Sequence, residues 1–131
     1  MDMQKALRAR LLGAQSVSAI VGTKVDWLER PEGDALPAIT LQVISGTLDQ
    51  HMQGLQGLQF ARVQLDCWGD SYAQTKSLVD AALEVVLPRG TIAGVYFRTA
   101  SATMPRDLGE RTDTQFIHRK QTDLTVRYSA A

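Results

Sequence analysis

Apolar and polar residues alternate most clearly between residues 60 and 68. A period of two is typical of a β-strand with one buried face. The residues that would point toward a core are Ala61, Val63, Leu65 and Cys67. Phe60, Arg62, Gln64, Asp66 and Trp68 would point the other way. Shorter alternating stretches predict four further strands, at residues 24–28, 39–43, 95–98 and 123–128, and the last of these could begin as early as Phe116.

Two other segments have the three- and four-residue spacing of amphipathic helices. The first follows Asp2, which can cap it, and has apolar residues at positions 3, 7, 11 and 14. The second follows Ser71, which forms a capping-box pattern with Gln74, and it ends before Pro88. A short helical turn capped by Ser16 and closed by Gly22 is predicted after the first helix.

This order of elements, α-β-β-β-α-β-β, predicts an α+β fold. Strands that follow one another without helices favour antiparallel pairing, so we expect a mostly antiparallel sheet of four to five strands with helices packed on one face. Residues 45–58, with three glycines, and residues 104–113 are predicted to be loops. No linker or repeat divides the chain, so residues 1–131 are predicted to form a single domain.

Composition argues against several functional classes. The 131 residues include 14 basic and 14 acidic side chains. This balance lacks the overall basic excess typical of proteins that bind nucleic acid through phosphates, although it leaves a local basic patch possible. A single cysteine cannot form an intrachain disulfide, and no apolar run reaches the length of a membrane span. We therefore expect a chain that folds in a cytoplasm, without a membrane.

Few residues are candidates for chemistry. His51 and His118 have no supporting metal-ligand or catalytic spacing, and Cys67 lies on the apolar side of its strand, as a buried structural thiol would. We predict no catalytic, cofactor-binding or metal-binding residues. Arginines and a lysine cluster between residues 106 and 120 among acidic residues, which favours a solvated surface over a nucleic-acid patch.

Five apolar residues are candidates for a subunit interface. Phe60 and Trp68 would lie on the sheet face away from the helices, where either a neighbouring subunit or the rest of the domain could cover them. Met52, Leu55 and Leu58 lie in the long glycine-containing loop, and such loops are often binding segments. Packing of the loop back onto its own domain is the alternative.

Four stretches in succession give the chain a family resemblance. Residues 36–41 (LPAITL), 62–68 (RVQLDCW) and 71–74 (SYAQ), followed by the C-terminal stretch 112–128, resemble the tail-completion proteins of long-tailed phages. The resemblance covers nearly the whole chain.

The resemblance implies a structural protein without enzymatic activity or cofactors. Its partners would be further copies of itself in a ring, expected to be a hexamer, together with the tail tube protein and the head-side connector protein. Such a tail terminator would be assembled in the host cytoplasm, lie at the head–tail junction of a virion and let DNA pass. The alternatives are a DNA-contacting head–tail connector module and, ranked last, a small ligand-binding domain.

Overall fold

The computed structural model describes residues 1–30, 35–47 and 57–131. Three helices are present in this part of the chain: α1 (Met3–Gly13), α2 (Gln15–Val21) and α3 (Tyr72–Val86). The strands of the first half are β1 (Val25–Trp27), β2 (Ala38–Thr47) and β3 (Gln59–Gly69). Those of the second half are β4 (Gly90–Ile92), β5 (Val95–Phe97), β6 (Ser101–Ala102), β7 (Arg106–Arg111) and β8 (Phe116–Ala130).

The two longer helices begin where the sequence predicts. Asp2 Oδ1 accepts a hydrogen bond from the Lys5 backbone N–H at 3.0 Å. Ser71 Oγ accepts one from the Gln74 backbone N–H at 3.1 Å, and Gln74 Oε1 accepts one from the Asp70 backbone N–H at 2.9 Å. Each bond satisfies a backbone donor that a helix leaves free at or near its start.

The predicted cap of the second helix is wrong. α2 already begins at Gln15, so Ser16 lies inside it, and no side chain caps this helix. The backbone carbonyl of Ala14 accepts the first bonds of α2, from Val17 at 3.0 Å and Ser18 at 2.9 Å. The chain thus turns from α1 into α2 without a capping side chain. The end of α2 is as predicted, at Gly22 with φ of 64°.

The sheet is larger than predicted and is mixed. It has eight strands within the described residues, in the order β1-β2-β3-β8-β5-β4, with β6 and β7 also paired to β8. β3 lies between β2 and β8 and pairs antiparallel with both over most of its length. β5, β6 and β7 pair in succession with the other edge of β8. β1 pairs parallel with β2, so the sheet is mixed. The expectation of a mostly antiparallel sheet of four to five strands is therefore wrong in strand number and in pairing, although the α+β class is confirmed.

The three extra strands were not predicted from the sequence, because apolar and polar residues alternate visibly only in a strand that is long enough and has one buried face. β4 and β6 contain three and two residues. All six residues of β7 are exposed, so its sequence shows no alternation of apolar and polar positions, and the predicted loop at 104–113 is wrong at this point. The other predicted loop was residues 45–58. Its first three residues belong to β2, which extends to Thr47, and residues 48–56 lie outside the described residues.

One face of the sheet packs against the helices. Ala61, Val63, Leu65 and Cys67 of β3 join a core that includes Leu7, Leu11, Val17 and Leu78 from the helices. α1 also reaches both ends of the sheet: Arg8 Nε donates to the Val25 carbonyl of β1 at 2.6 Å, and the Arg10 guanidinium lies against Gly90 of β4. α1 thus contacts both end strands of the sheet.

Candidate interaction surface

The face of the sheet away from the helices is here called the open sheet face. Its β3 side chains are Phe60, Arg62, Gln64, Asp66 and Trp68, as the alternation predicts. Strand pairing places Thr40 of β2 beside Asp66, and Arg119, Asp123 and Arg127 of β8 beside Trp68, Gln64 and Phe60. No described helix packs on this face, so its side chains cover one another.

Two guanidinium groups lie over the Trp68 ring. The Cζ atoms of Arg119 and Arg30 are 4.8 Å and 4.9 Å from its ring centroid, within the range of cation–π attraction. Its indole Nε1–H donates to Thr40 Oγ1 at 3.0 Å. The ring is half-buried, and its polar edge is satisfied within the chain.

Phe60 occupies the opposite end of β3, about 27 Å from Trp68 at the rise of an extended strand. Arg127 Cζ lies 5.8 Å from its ring centroid. Next to it, Leu58 is 41% exposed, and both residues line a cavity of about 150 Å³ together with Thr47, Gln59 and Arg127. The two aromatic residues therefore form separate patches, each covered by arginine.

Two ion pairs cross from β3 to β8 on the open sheet face. Asp66 and Arg119 are 2.8 Å apart, and the Asp66 side chain is only 8% exposed. Asp66 Oδ1 and Arg119 Nε have no hydrogen-bond partner within the described residues. Arg62 and Asp123 are 2.9 Å apart, but their side chains are 47% and 28% exposed. The first pair is therefore held in a drier environment than the second.

The open sheet face concentrates arginine although the whole chain is neutral. It holds five arginines within the described residues: Arg30, Arg62, Arg106, Arg119 and Arg127. The acidic residues on the same side of the sheet are Asp26, Asp66, Asp123 and Glu110. Half of the ten arginines of the chain thus lie on this face, partly balanced by four acidic residues.

A family model matches most of the chain. The model of the family described as tail completion protein gp17 matches residues 5–128. The chain belongs to this family of tail completion proteins. Membership implies a structural role in the assembly of a phage or phage-like tail, not a catalytic one. No curated protein matches the chain by sequence.

Solved structures show the same fold. A chain of the virion of a native gene transfer agent particle superimposes with a TM-score of 0.65, covering 98% of this tail completion protein and 95% of that chain at 15% identity. A second solved structure has a TM-score of 0.52, with coverage of 98% and 93% and 15% identity. At this identity the likeness shows the fold alone.

The candidates for chemistry do not converge in this tail completion protein. Cys67 is fully buried as predicted, and burial, followed by the charge of neighbouring Asp66, raises the pKa of its thiol. His118 lies edge-on to Phe116, with ring centroids 4.8 Å apart. His51 lies outside the described residues. Across 1–30, 35–47 and 57–131, no three His, Cys, Asp or Glu residues are grouped to hold a metal ion. None of the helices in these ranges is long and apolar enough to cross a membrane.

Lys120 shows how local charges are neutralised near the beginning of β8. Its ammonium group donates to Asp107 and to the hydroxyl of Tyr72, and lies 4.5 Å from the Tyr72 ring centroid. The bond to Asp107 raises the pKa of Lys120. Of the basic residues between 106 and 120, Lys120 thus faces α3 in an ion pair, whereas Arg106 and Arg119 belong to the open sheet face.

The structure places three of the five predicted interface residues and leaves the other two outside the described residues. Phe60 and Trp68 share the open sheet face, and Leu58 lies beside Phe60. Met52 and Leu55 lie outside the described residues. The arginine cover was missed because it depends on strand register: Arg119 and Arg30 are 51 and 38 positions from Trp68 along the chain. No local sequence signal relates residues that far apart.

Proposed function

We propose that the protein closes the end of a tail tube as an oligomeric ring and joins the tail to the head. The observation that carries this proposal is the family match over residues 5–128. The likeness in fold to a chain of a gene transfer agent virion supports it. The single domain would be the ring subunit, and a hexamer is the expected ring.

The proposed ring interface uses the open sheet face. A closed ring needs head-to-tail contacts between two different surfaces of each copy. Phe60, Trp68 and Leu58 supply apolar surface on one side, and Met52 and Leu55 remain proposed members from the sequence. Arginine-covered aromatic rings are suited to such a contact, because both residue types are frequent at the energetic centres of interfaces.

Mixing experiments test the ring and its interface together. Purified protein with tail tube protein should give closed rings at tube ends in negative-stain images and a single oligomer in native mass spectrometry. Trp68→Ala and Phe60→Ala should reduce ring formation, whereas Glu84→Ala, an exposed substitution on α3, should not. A protein that stays monomeric and binds neither tube nor connector protein would contradict the proposal.

The arginines of the open sheet face favour a second candidate, contact with DNA. Five arginines on the open sheet face could neutralise phosphates wherever the face meets a duplex. Affinity for duplex DNA should then fall steeply as salt concentration rises. Replacing exposed Arg62 and Arg127 by glutamine should weaken binding and flatten the salt dependence, while Arg89→Gln, in the exposed turn after α3, serves as the control. Absence of binding at low salt would exclude this candidate.

A further inference from the structure

β7 forms an open edge of the sheet, as do residues 42–47 of β2, whose outer side pairs with no described strand. The end strands β1 and β4 contain three residues each, and α1 packs against both. β7 contains six residues, all exposed, and pairs without a bulge to β8. Within the described residues, no strand pairs with its outer edge. An open edge of this length presents backbone N–H and C=O groups that can pair with another strand.

The charge pattern of β7 restricts what can pair with it. Its sequence is Arg-Asp-Leu-Gly-Glu-Arg, residues 106–111. Side chains directly opposite one another on antiparallel strands interact, and like charges there are destabilising. Charges of both signs within six residues therefore permit some pairings and oppose others.

Three antiparallel registers would pair the centres of two β7 strands from two copies of the chain. Only one of them places opposite charges that lack another charged partner opposite each other. If Arg106 faced Arg111 of a second copy, Asp107 would face Glu110 and both pairs would be repulsive. If Asp107 faced Arg111, it would compete with the existing Asp107–Lys120 ion pair and with the Arg111 contact to the Phe116 ring, 5.7 Å away.

The remaining register places Arg106 opposite Glu110 twice. Glu110 has no ion-pair partner among the residues that the structure describes, and Arg106 donates only to the neutral amide oxygen of Gln121. Leu108, which is 39% exposed, would then face Leu108 of the second copy on the two-fold axis.

We infer that two copies of the free protein pair antiparallel through β7, with Leu108 on a two-fold axis and an Arg106–Glu110 ion pair on each side. On the open sheet face Trp68, Arg119 and Leu108 lie in one cross-strand row. Pairing would extend this row across both copies as one continuous sheet. The contact is isologous and therefore differs from the head-to-tail contact of the proposed ring. The proposed dimer is a state of the free protein, before it binds tube or connector protein.

Cysteine crosslinking tests the axis. Directly opposed residues on antiparallel strands have Cα atoms about 4.5–5.5 Å apart, which a disulfide can span. Leu108→Cys should give a covalent dimer under mild oxidation. Leu28→Cys, at a leucine 70% exposed at the other end of the sheet, measures random collision. The parent protein is a second control, because its only cysteine, Cys67, is buried.

Two further crosslinks test the register. Arg106→Cys alone and Glu110→Cys alone should not crosslink, because each lies away from the axis, but a mixture of the two variants should. Equal crosslinking of Leu108→Cys and Leu28→Cys, or no gain in the mixture, would overturn the inference.

Charge exchange provides a test without cysteine. Arg106→Glu places carboxylates at both positions of each pair, and Glu110→Arg places guanidinium groups at both. Each should raise the dimer dissociation constant about tenfold in sedimentation equilibrium, since two attractive pairs become repulsive. The double variant Arg106→Glu/Glu110→Arg should restore it. A parent protein that is monomeric at all concentrations, or single variants that dimerise as well as the parent, would overturn the inference.

All measurements use the purified chain alone. Loss of this dimer would therefore leave the ring proposal intact, and failure to form rings with tube protein would leave the dimer intact.

Discussion

The two faces of the sheet are built from the same strands but are stabilised differently. On the helix side, alternate residues of β3 such as Val63 and Leu65 are completely buried against helices. On the open sheet face, the intervening residues cover one another through ion pairs, cation–π contacts and one indole hydrogen bond. Burial of apolar surface contributes more to stability than exposed polar contacts do. The helix side should therefore contribute most of the stability of the fold, and the open sheet face remains available for interaction.

The largest expected effect is on the helix side of β3. Leu65→Ala should lower the free energy of unfolding by about 2–5 kcal/mol, because it removes a buried side chain and leaves a cavity. Gln64→Ala, one position along and on the open sheet face, is the matched control and should change it much less. Urea denaturation of both variants measures the contrast. Equal losses would show that the two faces do not differ as argued.

The next effect concerns the most buried charge of the open sheet face. Asp66→Ala removes the acceptor of bonds from Arg119 at 2.8 Å and from Gln64 at 3.1 Å. It leaves a half-buried guanidinium without its carboxylate and should destabilise the protein by about 1–3 kcal/mol. A loss of unfolding free energy as large as that of Leu65→Ala would mean that the open sheet face contributes as much to stability as the helix side. The readout is again the midpoint of urea denaturation.

A smaller effect tests how the covering helix is positioned. Ser71→Ala removes the side-chain cap of α3, whose residues Leu78 and Val79 pack on the helix side of the sheet. The expected loss is about 1 kcal/mol, with hydrogen exchange rising first in the opening turn of the helix. Ser77→Ala, exposed on the same helix, is the control and should be nearly neutral. Equal behaviour of the two variants would contradict a capping role.

The smallest effect concerns the exposed ion pair. Asp123→Ala removes the partner of Arg62, whose side chain is 47% exposed, and should lower the free energy of unfolding by only about 0.2–1 kcal/mol. High salt should reduce that difference by screening the pair. Asp66→Ala and Asp123→Ala remove the same group from neighbouring positions, so their ratio measures the effect of burial. A ratio near one would remove the distinction drawn between the two pairs.

Sequence reasoning succeeded where a signal is local. Asp2 and Ser71 each cap a helix through a bond to the residue three positions further on, and the alternation through 60–68 assigned each side chain to its face. It failed at Ser16 and at β7. Ser16 is a residue type that can cap a helix, but the first backbone N–H groups of α2 bond to the carbonyl of Ala14 instead. β7 is a strand only because β8 pairs with it.

By itself the sequence determined the α+β class, the starts of the two long helices, the buried face of β3 and the family resemblance that the family model confirmed. These properties depend on spacing within a few residues or on motifs in a fixed order. Only the tertiary structure decided that guanidinium groups cover Phe60 and Trp68, and that a neutral chain has an arginine-rich face. It also decided that β7 is an edge strand whose outer side no described strand pairs with. The physical reason is strand register, which brings together side chains far apart in the chain.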